Sequence, residues 1–308
     1  MNWKIKASVM FLCDHIPFGE GVYQSIQRRF GNLTHSPNFR LPAALKSLEL
    51  LQRNGKRVEG MTLFEVGTGH LPIIPTCFFL AGAETVYTYD LNRRLQLPML
   101  SKCLSDILAE KSSIRERFSP YVDADLFDRR MAVVEAYRDR PEDFLEKAGI
   151  RYVAPGDAAA TGLPDACIDL HYSNTVFEHI PENVLHDIMR EASRILKPGA
   201  TALHLIDPSD HFEHQDKSIS KVNFLRYSES RWSLIAGNQF AYCNRLRWPA
   251  LRRVFTDNGF EMVHEGKSVD RESMGRLTSG FEVHPDFRGY SNEDLCVTAY
   301  DVLCVKPS

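Results

Sequence analysis

Three groups of residues in this chain have the types and spacing to do chemistry. The first is Glu65-Val66-Gly67-Thr68-Gly69-His70, followed after an apolar run by an acid, Asp90. Glycines at 67 and 69 let the backbone turn tightly and approach a ligand, which a Cβ would prevent. An acid closing the next strand can accept hydrogen bonds from both hydroxyls of a ribose. The second group is Asp207-Pro208-Ser209-Asp210-His211-Phe212-Glu213-His214-Gln215-Asp216. Its imidazoles and carboxylates suit proton transfer, with His211 as the base and Asp207 or Asp210 orienting it. The same donors could hold a cation, but histidines are unusual partners for a hard ion such as Mg²⁺, and no metal is assigned. The third group interleaves aromatics, asparagines and arginines: Arg226-Tyr227, Trp232, then Tyr242-Cys243-Asn244-Arg245-Leu246-Arg247-Trp248. Flat apolar walls with a few directed polar groups suit a small-molecule pocket, and arginines can clamp an anionic acceptor.

The glycine pattern speaks about the ligand. A dinucleotide site reads G-x-G-x-x-G/A, with the pyrophosphate on a helix N-terminus. Here Pro72 stands at the third glycine position and gives up one N–H that a pyrophosphate would use. Glu65 puts a carboxylate where phosphates would rest, which repels them and attracts a cation.

Positioning these groups takes a series of strands and helices. Thr62–Val66 and Val86–Tyr89 are short apolar runs, each ending at a chemical residue. Tyr152–Ala158 reads as a third strand ending in Asp157, and Ile168–Asn174 as a fourth. A helix follows Pro181, with Val184, Leu185, Ile188, Ile195 and Leu196 at helical spacing and a stop at Lys197-Pro198-Gly199. Thr201–Asp207 is a fifth strand, Leu251–Gly259 a helix, and Phe260–Val263 and Cys296–Val305 close the sheet. Around this frame lie residues 1–58, with helical stretches at Tyr23–Gly31 and Ala43–Leu51, and two insertions, 91–150 and 208–249. Long loops in a compact domain are usually lids or binding elements.

Glu65-x-Gly67-x-Gly69 with Asp90, Gly156-Asp157-Ala158, Leu163-Pro164-Asp165, Phe177-Glu178-His179-Ile180 and Ile195-Leu196-Lys197-Pro198-Gly199 follow one another in an order that resembles class I S-adenosylmethionine-dependent methyltransferases. The likeness is to the bacterial small-molecule and glycan-cluster type. It is dense over 60–210 and looser over the last part of the chain. It implies a Rossmann-like α/β fold: a seven-stranded, mostly parallel sheet with helices on both faces. The helical N-terminal cap would be 1–58 and the methyltransferase domain 59–308, with a helical insertion at 91–150 and an acceptor-side lid at 208–249. It also implies S-adenosylmethionine as cofactor and S-adenosylhomocysteine as product. Glu65, Gly67, Thr68, Gly69 and His70 would line the methionine half. Asp90 would take the ribose and Leu91 flank the adenine. Asp157 and Ala158 would meet the adenine edge, and Ser173 and Asn174 would face the methyl group. His179, in the Phe-Glu-His motif, and His211 with Asp210 are the catalytic candidates. Arg226, Tyr227, Trp232, Tyr242, Asn244 and Arg245 are the acceptor-binding candidates.

The reaction expected is O-methylation of a sugar-like or secondary-metabolite hydroxyl, with a histidine as general base. Open alternatives are N- or C-methylation of a small acceptor, anionic or diphosphate-bearing, and a non-methylating Rossmann protein: an NAD-dependent oxidoreductase or an inactive cofactor-binding protein. A formal charge of −3 over 308 residues leaves no electrostatic footprint for nucleic acid. Seven cysteines without a C-x-x-C pair read as reduced thiols of a cytoplasmic protein. The longest apolar run, Leu71–Ala83, is too short to span a bilayer and contains prolines. The expected partner is a small-molecule acceptor, with no nucleic acid and no membrane, and a homodimer is left open.

Overall fold

The computed structural model describes residues 2–19, 21–23, 26 and 34–308. Its centre is one seven-stranded sheet: β1 (Thr62–Val66), β2 (Thr85–Tyr89), β3 (Ile150–Val153), β4 (Ile168–Asn174), β5 (Leu196–Ile206), β6 (Glu261–Val269) and β7 (Val297–Val305). They lie in the order β3-β2-β1-β4-β5-β7-β6. The five strands from β3 to β5 run parallel, and β7 is antiparallel to both β5 and β6. The chain works outward from β1 to β3, then returns to β4 on the other side of β1. An open α/β sheet binds its ligand at the carboxyl ends of the strands beside such a reversal, here those of β1 and β4.

Strand alternation explains the two-sided core. Leu63, Leu170, Leu203 and Leu303 face one side, where they pack with helices α2 (Leu41–Arg53), α3 (Ile73–Leu80), α4 (Leu97–Ala109), α5 (Lys111–Phe118), α6 (Ala124–Tyr137) and α7 (Pro141–Lys147). Phe64, Val66, Ile168, Ala202 and Val302 face the other, against α8 (Glu182–Ile195) and α10 (Trp248–Thr256). Strands covered on both faces read as continuous apolar runs, as β1 does. The α8 helix buries Leu185, Ile188, Met189, Ala192 and Ile195 on one stripe, the spacing that marked it in the sequence.

A third cluster lies off the sheet. Helix α1 (Trp3–His15) contributes Trp3, Ala7 and Met10, which pack with Phe212, Val222, Phe224, Leu225, Trp232, Phe287 and Leu295. These come from the 208–249 segment, which includes α9 (Glu229–Ala236), and from the connection between β6 and β7, which carries α11 (Arg271–Thr278) and α12 (Asn292–Leu295). The N-terminal region is therefore not one cap: α1 joins the lid, and α2 packs on the sheet. Most of the helical stretch expected over 23–31 lies outside the described residues.

Three boundaries differ from the sequence reading. β3 ends at Val153, short of Asp157, because Pro155 has no N–H to continue the ladder. β5 begins at Leu196, so Lys197-Pro198-Gly199 opens a strand and is held by Gly199 N–H donating to Lys306 O at 2.9 Å. β6 runs on to Val269, well past Val263. Among the described residues no helix is long and apolar enough to cross a membrane.

Candidate active site

The loop after β1 is shaped by its glycines. Gly67 has φ +82°, and a Cβ there would meet Val176 Cγ2 at 2.7 Å. Its N–H donates to Tyr89 O at 2.8 Å, which ties the loop to the end of β2. Gly69 has φ +70° and donates its N–H to Asp90 Oδ2 at 2.9 Å. Helix α3 starts just beyond, at Ile73.

Electrostatics single out the acids around this loop. Glu65 is 3% exposed and accepts a hydrogen bond from the Thr88 hydroxyl, which also meets Thr68. Burial pushes its carboxyl up to about 8, the Thr88 bond pulls it back, and nearby Asp90 raises it again. Asp90 is pushed up to about 6, chiefly by burial, against the Gly69 N–H and the charge of Arg94. Leu91 beside it is 71% exposed, an apolar side chain left outside the core where a flat ring could rest. His70 is half-buried, its Nδ1 3.3 Å from Arg94 O. Asp157 is exposed and accepts from Ala159 N–H at 2.8 Å, while Ala158 is buried. This donor set fits a cationic, phosphate-free ligand. Glu65, held neutral by burial, gains from an incoming ammonium, and Gly67 packs against Val176 where no side chain fits.

At the end of β4 neighbouring residues point to opposite faces. The Ser173 hydroxyl lies 2.8 Å from His204 Nδ1 inside the sheet, so Ser173 does not face the cleft. Asn174 does: its Oδ1 accepts from Arg40 Nη1 at 2.6 Å, and the same nitrogen donates to Thr175 Oγ1 at 2.6 Å. Thr175 has φ +51°, a costly conformation for a β-branched residue, and Arg40 braces it. Burial lowers the Arg40 pKa, and the charges of Glu178 and Glu65 oppose that shift. Arg40 thus stands electrostatically between the glycine loop and the acceptor side.

Across β4 the imidazoles gather. His179 Nδ1 donates to Tyr242 O at 2.9 Å, and its ring meets the His211 ring at a centroid distance of 4.8 Å. His211 stacks on His214 at 4.9 Å. Asp207 Oδ2 lies 3.6 Å from His211 Nε2 and 3.5 Å from His214 Nε2. Burial lowers His211 to about 4, and His179 adds to the shift while Asp207 opposes it. Glu178 is 1% exposed, no side chain bonds its carboxyl, and burial holds its pKa well above the ordinary range against weak contacts from the backbone N–H groups of Glu178 and Asp207.

Several acceptor-side expectations change. Asp210 is 1% exposed and faces away from His211: it accepts from Phe212 N–H at 2.9 Å and Asn223 Nδ2 at 3.4 Å. Asp207, not Asp210, is the carboxylate beside His211. Arg245 is buried and donates to Phe224 O at 3.0 Å, Tyr227 O at 2.7 Å and Glu229 Oε2 at 2.5 Å, so its guanidinium ties together the stretch 224–229. Trp232 is buried in the third cluster, where Tyr227 stacks on it at 5.9 Å. Arg226 is exposed, 5.3 Å from the Phe281 ring. Tyr242 takes part through its carbonyl. Asn244 donates from Nδ2 to Phe177 O at 2.7 Å and Ile180 O at 2.8 Å, so it clamps the turn that carries Glu178 and His179.

Residues 112–203 match the sequence model of a family described as a methyltransferase domain. Over that stretch, under a third of its length, the chain is similar to a methyltransferase domain. No curated protein matches the chain in sequence. Solved structures that it resembles include magnesium protoporphyrin IX methyltransferase from Synechocystis with bound S-adenosylhomocysteine, at 12% identity and TM-score 0.46, covering 87% of this chain and 83% of the other. Geranyl diphosphate C-methyltransferase from Streptomyces coelicolor stands at 14% and 0.48, covering 85% and 78%. A phosphoethanolamine N-methyltransferase 2 from Haemonchus contortus stands at 16% and 0.49, covering 97% and 61%. All three likenesses are distant.

No motif signalled Arg40 or Thr88, and the sequence pointed to Arg247 only as an anion clamp. Arg40 reaches Asn174 from 134 positions away. Thr88 sits mid-strand, readable only as a polar residue in an apolar run. Arg247 is fully buried, donates to Pro208 O at 2.7 Å and so holds the start of the histidine loop.

Proposed function

We propose that this methyltransferase transfers the methyl group of S-adenosylmethionine to a hydroxyl of a small, polyfunctional acceptor of the sugar or secondary-metabolite kind, with His211 accepting the hydroxyl proton. Displacement at a sulfonium carbon draws most of its acceleration from alignment, which the carboxyl ends of β1 and β4 would supply. A hydroxyl must also lose its proton, which takes a base within hydrogen-bond reach. The observation that carries this reading is the His211–Asp207 pair, which directly follows β5 on the same carboxyl edge as the glycine loop. Burial lowers His211 to about 4, so it is neutral at physiological pH, and Asp207 is the neighbour that raises its basicity. Asp207 would stabilise the imidazolium that forms.

Titration calorimetry with S-adenosylhomocysteine, with NADH as the control, tests the first half. Micromolar affinity for the first and none for the second is expected, and the reverse discards the methyltransferase reading. Against a panel of hydroxylated acceptors, His211→Ala is expected to lose about 10²–10⁴ in kcat with cofactor affinity intact. Retained turnover in that variant points instead to an amine acceptor, which needs alignment alone.

A further inference from the structure

We propose that Glu178, His179 and His211 form a binding site for one divalent transition-metal ion of the zinc class at the mouth of the acceptor cleft. One ligand atom from each of the three lies within 4.8 Å of the others. Coordination at about 2.0–2.2 Å asks them to close further by side-chain rotation.

The Glu178 carboxylate is the second, independent observation. It is 1% exposed and no side chain bonds either oxygen; only the backbone N–H groups of Glu178 and Asp207 lie close to it, too poorly placed for a full hydrogen bond. A buried carboxylate without a cation or side-chain donor is unfavourable, and such groups are ordinarily paired or bound to metal. Arg40, the nearby cation, spends its hydrogen bonds on Asn174 and Thr175, not on Glu178.

His179 is prepared as a ligand. Its Nδ1–H is spent on Tyr242 O at 2.9 Å, which fixes the tautomer and leaves the Nε2 lone pair for an ion. Metal-bound histidines usually carry such an outer bond. The turn is held as well: Asn244 N–H donates to Glu178 O at 2.9 Å, and its side chain donates to Phe177 O and Ile180 O. Two imidazoles and a carboxylate favour Zn²⁺, Co²⁺, Fe²⁺ or Mn²⁺ over Mg²⁺ or Ca²⁺. Asp207 and His214, which form a second close trio with His211, stand behind the site.

Metal binding itself is independent of the reaction. Its use rests on the acceptor reading above and changes one role in it. An ion at this place favours the ionised form of a coordinated acceptor hydroxyl. His211 then serves as a ligand, and the hydroxyl proton passes to Asp207 or His214.

Chelator-stripped protein, re-equilibrated with Zn²⁺ and desalted, is expected to retain one ion per chain by elemental analysis. With Co²⁺ it is expected to show visible d–d absorption. Glu178→Gln and, separately, His179→Gln should each weaken Zn²⁺ binding at least tenfold, with S-adenosylhomocysteine affinity and the circular dichroism spectrum unchanged as proof of folding. His214→Gln should leave Zn²⁺ binding within a few-fold of wild type. Wild-type protein that binds S-adenosylhomocysteine but retains no Zn²⁺ and gives no Co²⁺ spectrum overturns the proposal and leaves His211 as the base. Zn²⁺ binding that the Glu178 and His179 variants do not weaken overturns it too. Protein that binds Zn²⁺ but not S-adenosylhomocysteine keeps the metal site and removes the methyltransferase reading.

Discussion

Glu65 is held neutral near pH 7 by burial, and a neutral acid is a poor partner for a cation until the cation arrives. An ammonium brought in by the cofactor would shift the acid to its charged form, so binding below pH 8 releases a proton. Affinity for S-adenosylhomocysteine is therefore expected to rise with pH up to about 8 and then level off, measured calorimetrically in buffers of different ionisation enthalpy; a flat profile removes Glu65 from the ammonium site. The same shift affects stability. With a folded pKa of about 8 against an ordinary value of 4.5, the native state binds the proton more tightly than the unfolded chain. The stabilisation is complete below 4.5 and is lost as pH rises to about 8, an effect on the order of a few kcal/mol. Cofactor-free Glu65→Gln should lack that slope in thermal unfolding across the interval. On the expectation that Asp90 accepts from the ribose hydroxyls, Asp90→Ala should weaken S-adenosylhomocysteine binding by about 1–3 kcal/mol, read by calorimetry.

Between residue and fold, the segment from Asn174 to Ile180 does the positioning. It leaves β4 through the strained Thr175, passes Val176 against the glycine loop, and presents Glu178 and His179 on one short 3-10 turn. Both of its braces come from elsewhere: Arg40 from the stretch before α2, and Asn244 from the lid. Asn244→Ala removes the donor to two backbone carbonyls and should cost about 1–3 kcal/mol of stability. We expect it to lower kcat with S-adenosylhomocysteine affinity unchanged; loss of both would mean that the turn also shapes the cofactor pocket. Gly67→Ala combines a left-handed φ with a clash against Val176. It should weaken cofactor binding and destabilise the protein by about 1–3 kcal/mol, read by calorimetry and by thermal unfolding.

On the scale of the molecule, α1, the segment 208–249 and the connection between β6 and β7 share an apolar cluster of their own, apart from the two that line the sheet. Trp3 anchors it: the indole is 7% exposed and 5.6 Å from Phe212, and its backbone N–H donates to Asp216 Oδ2 at 2.8 Å. Trp3→Ala should cost about 3–5 kcal/mol within this unit. Hydrogen exchange is expected to show lost protection over 212–236 with the sheet amides unchanged, since the sheet has its own two clusters. Uniform loss across the chain would show instead that lid and sheet unfold together.

What the sequence by itself determined is what local backbone chemistry dictates. Gly67 and Gly69 announce a loop that only glycine can turn, and Asp90 closes a strand that period-2 burial makes visible. The α8 stripe follows from 3.6-residue spacing, and the seven-stranded sheet follows from the order of these pieces. The class of cofactor was legible too, because Glu65 and Pro72 change the charge and donor count of one short loop. The tertiary structure decided the partners. Asp207 and Asp210 are equally plausible beside His211 in one dimension, and only the fold turns Asp210 toward Phe212 and Asn223. Arg245 and Arg247 look like anion clamps in sequence, yet both are consumed by carbonyls of the lid and of the loop after β5. Ser173 is adjacent to Asn174 but faces His204 across a strand pair. Arg40 meets Asn174 over a separation of 134 residues. Such contacts depend on which strands and loops become neighbours, and no local spacing encodes that.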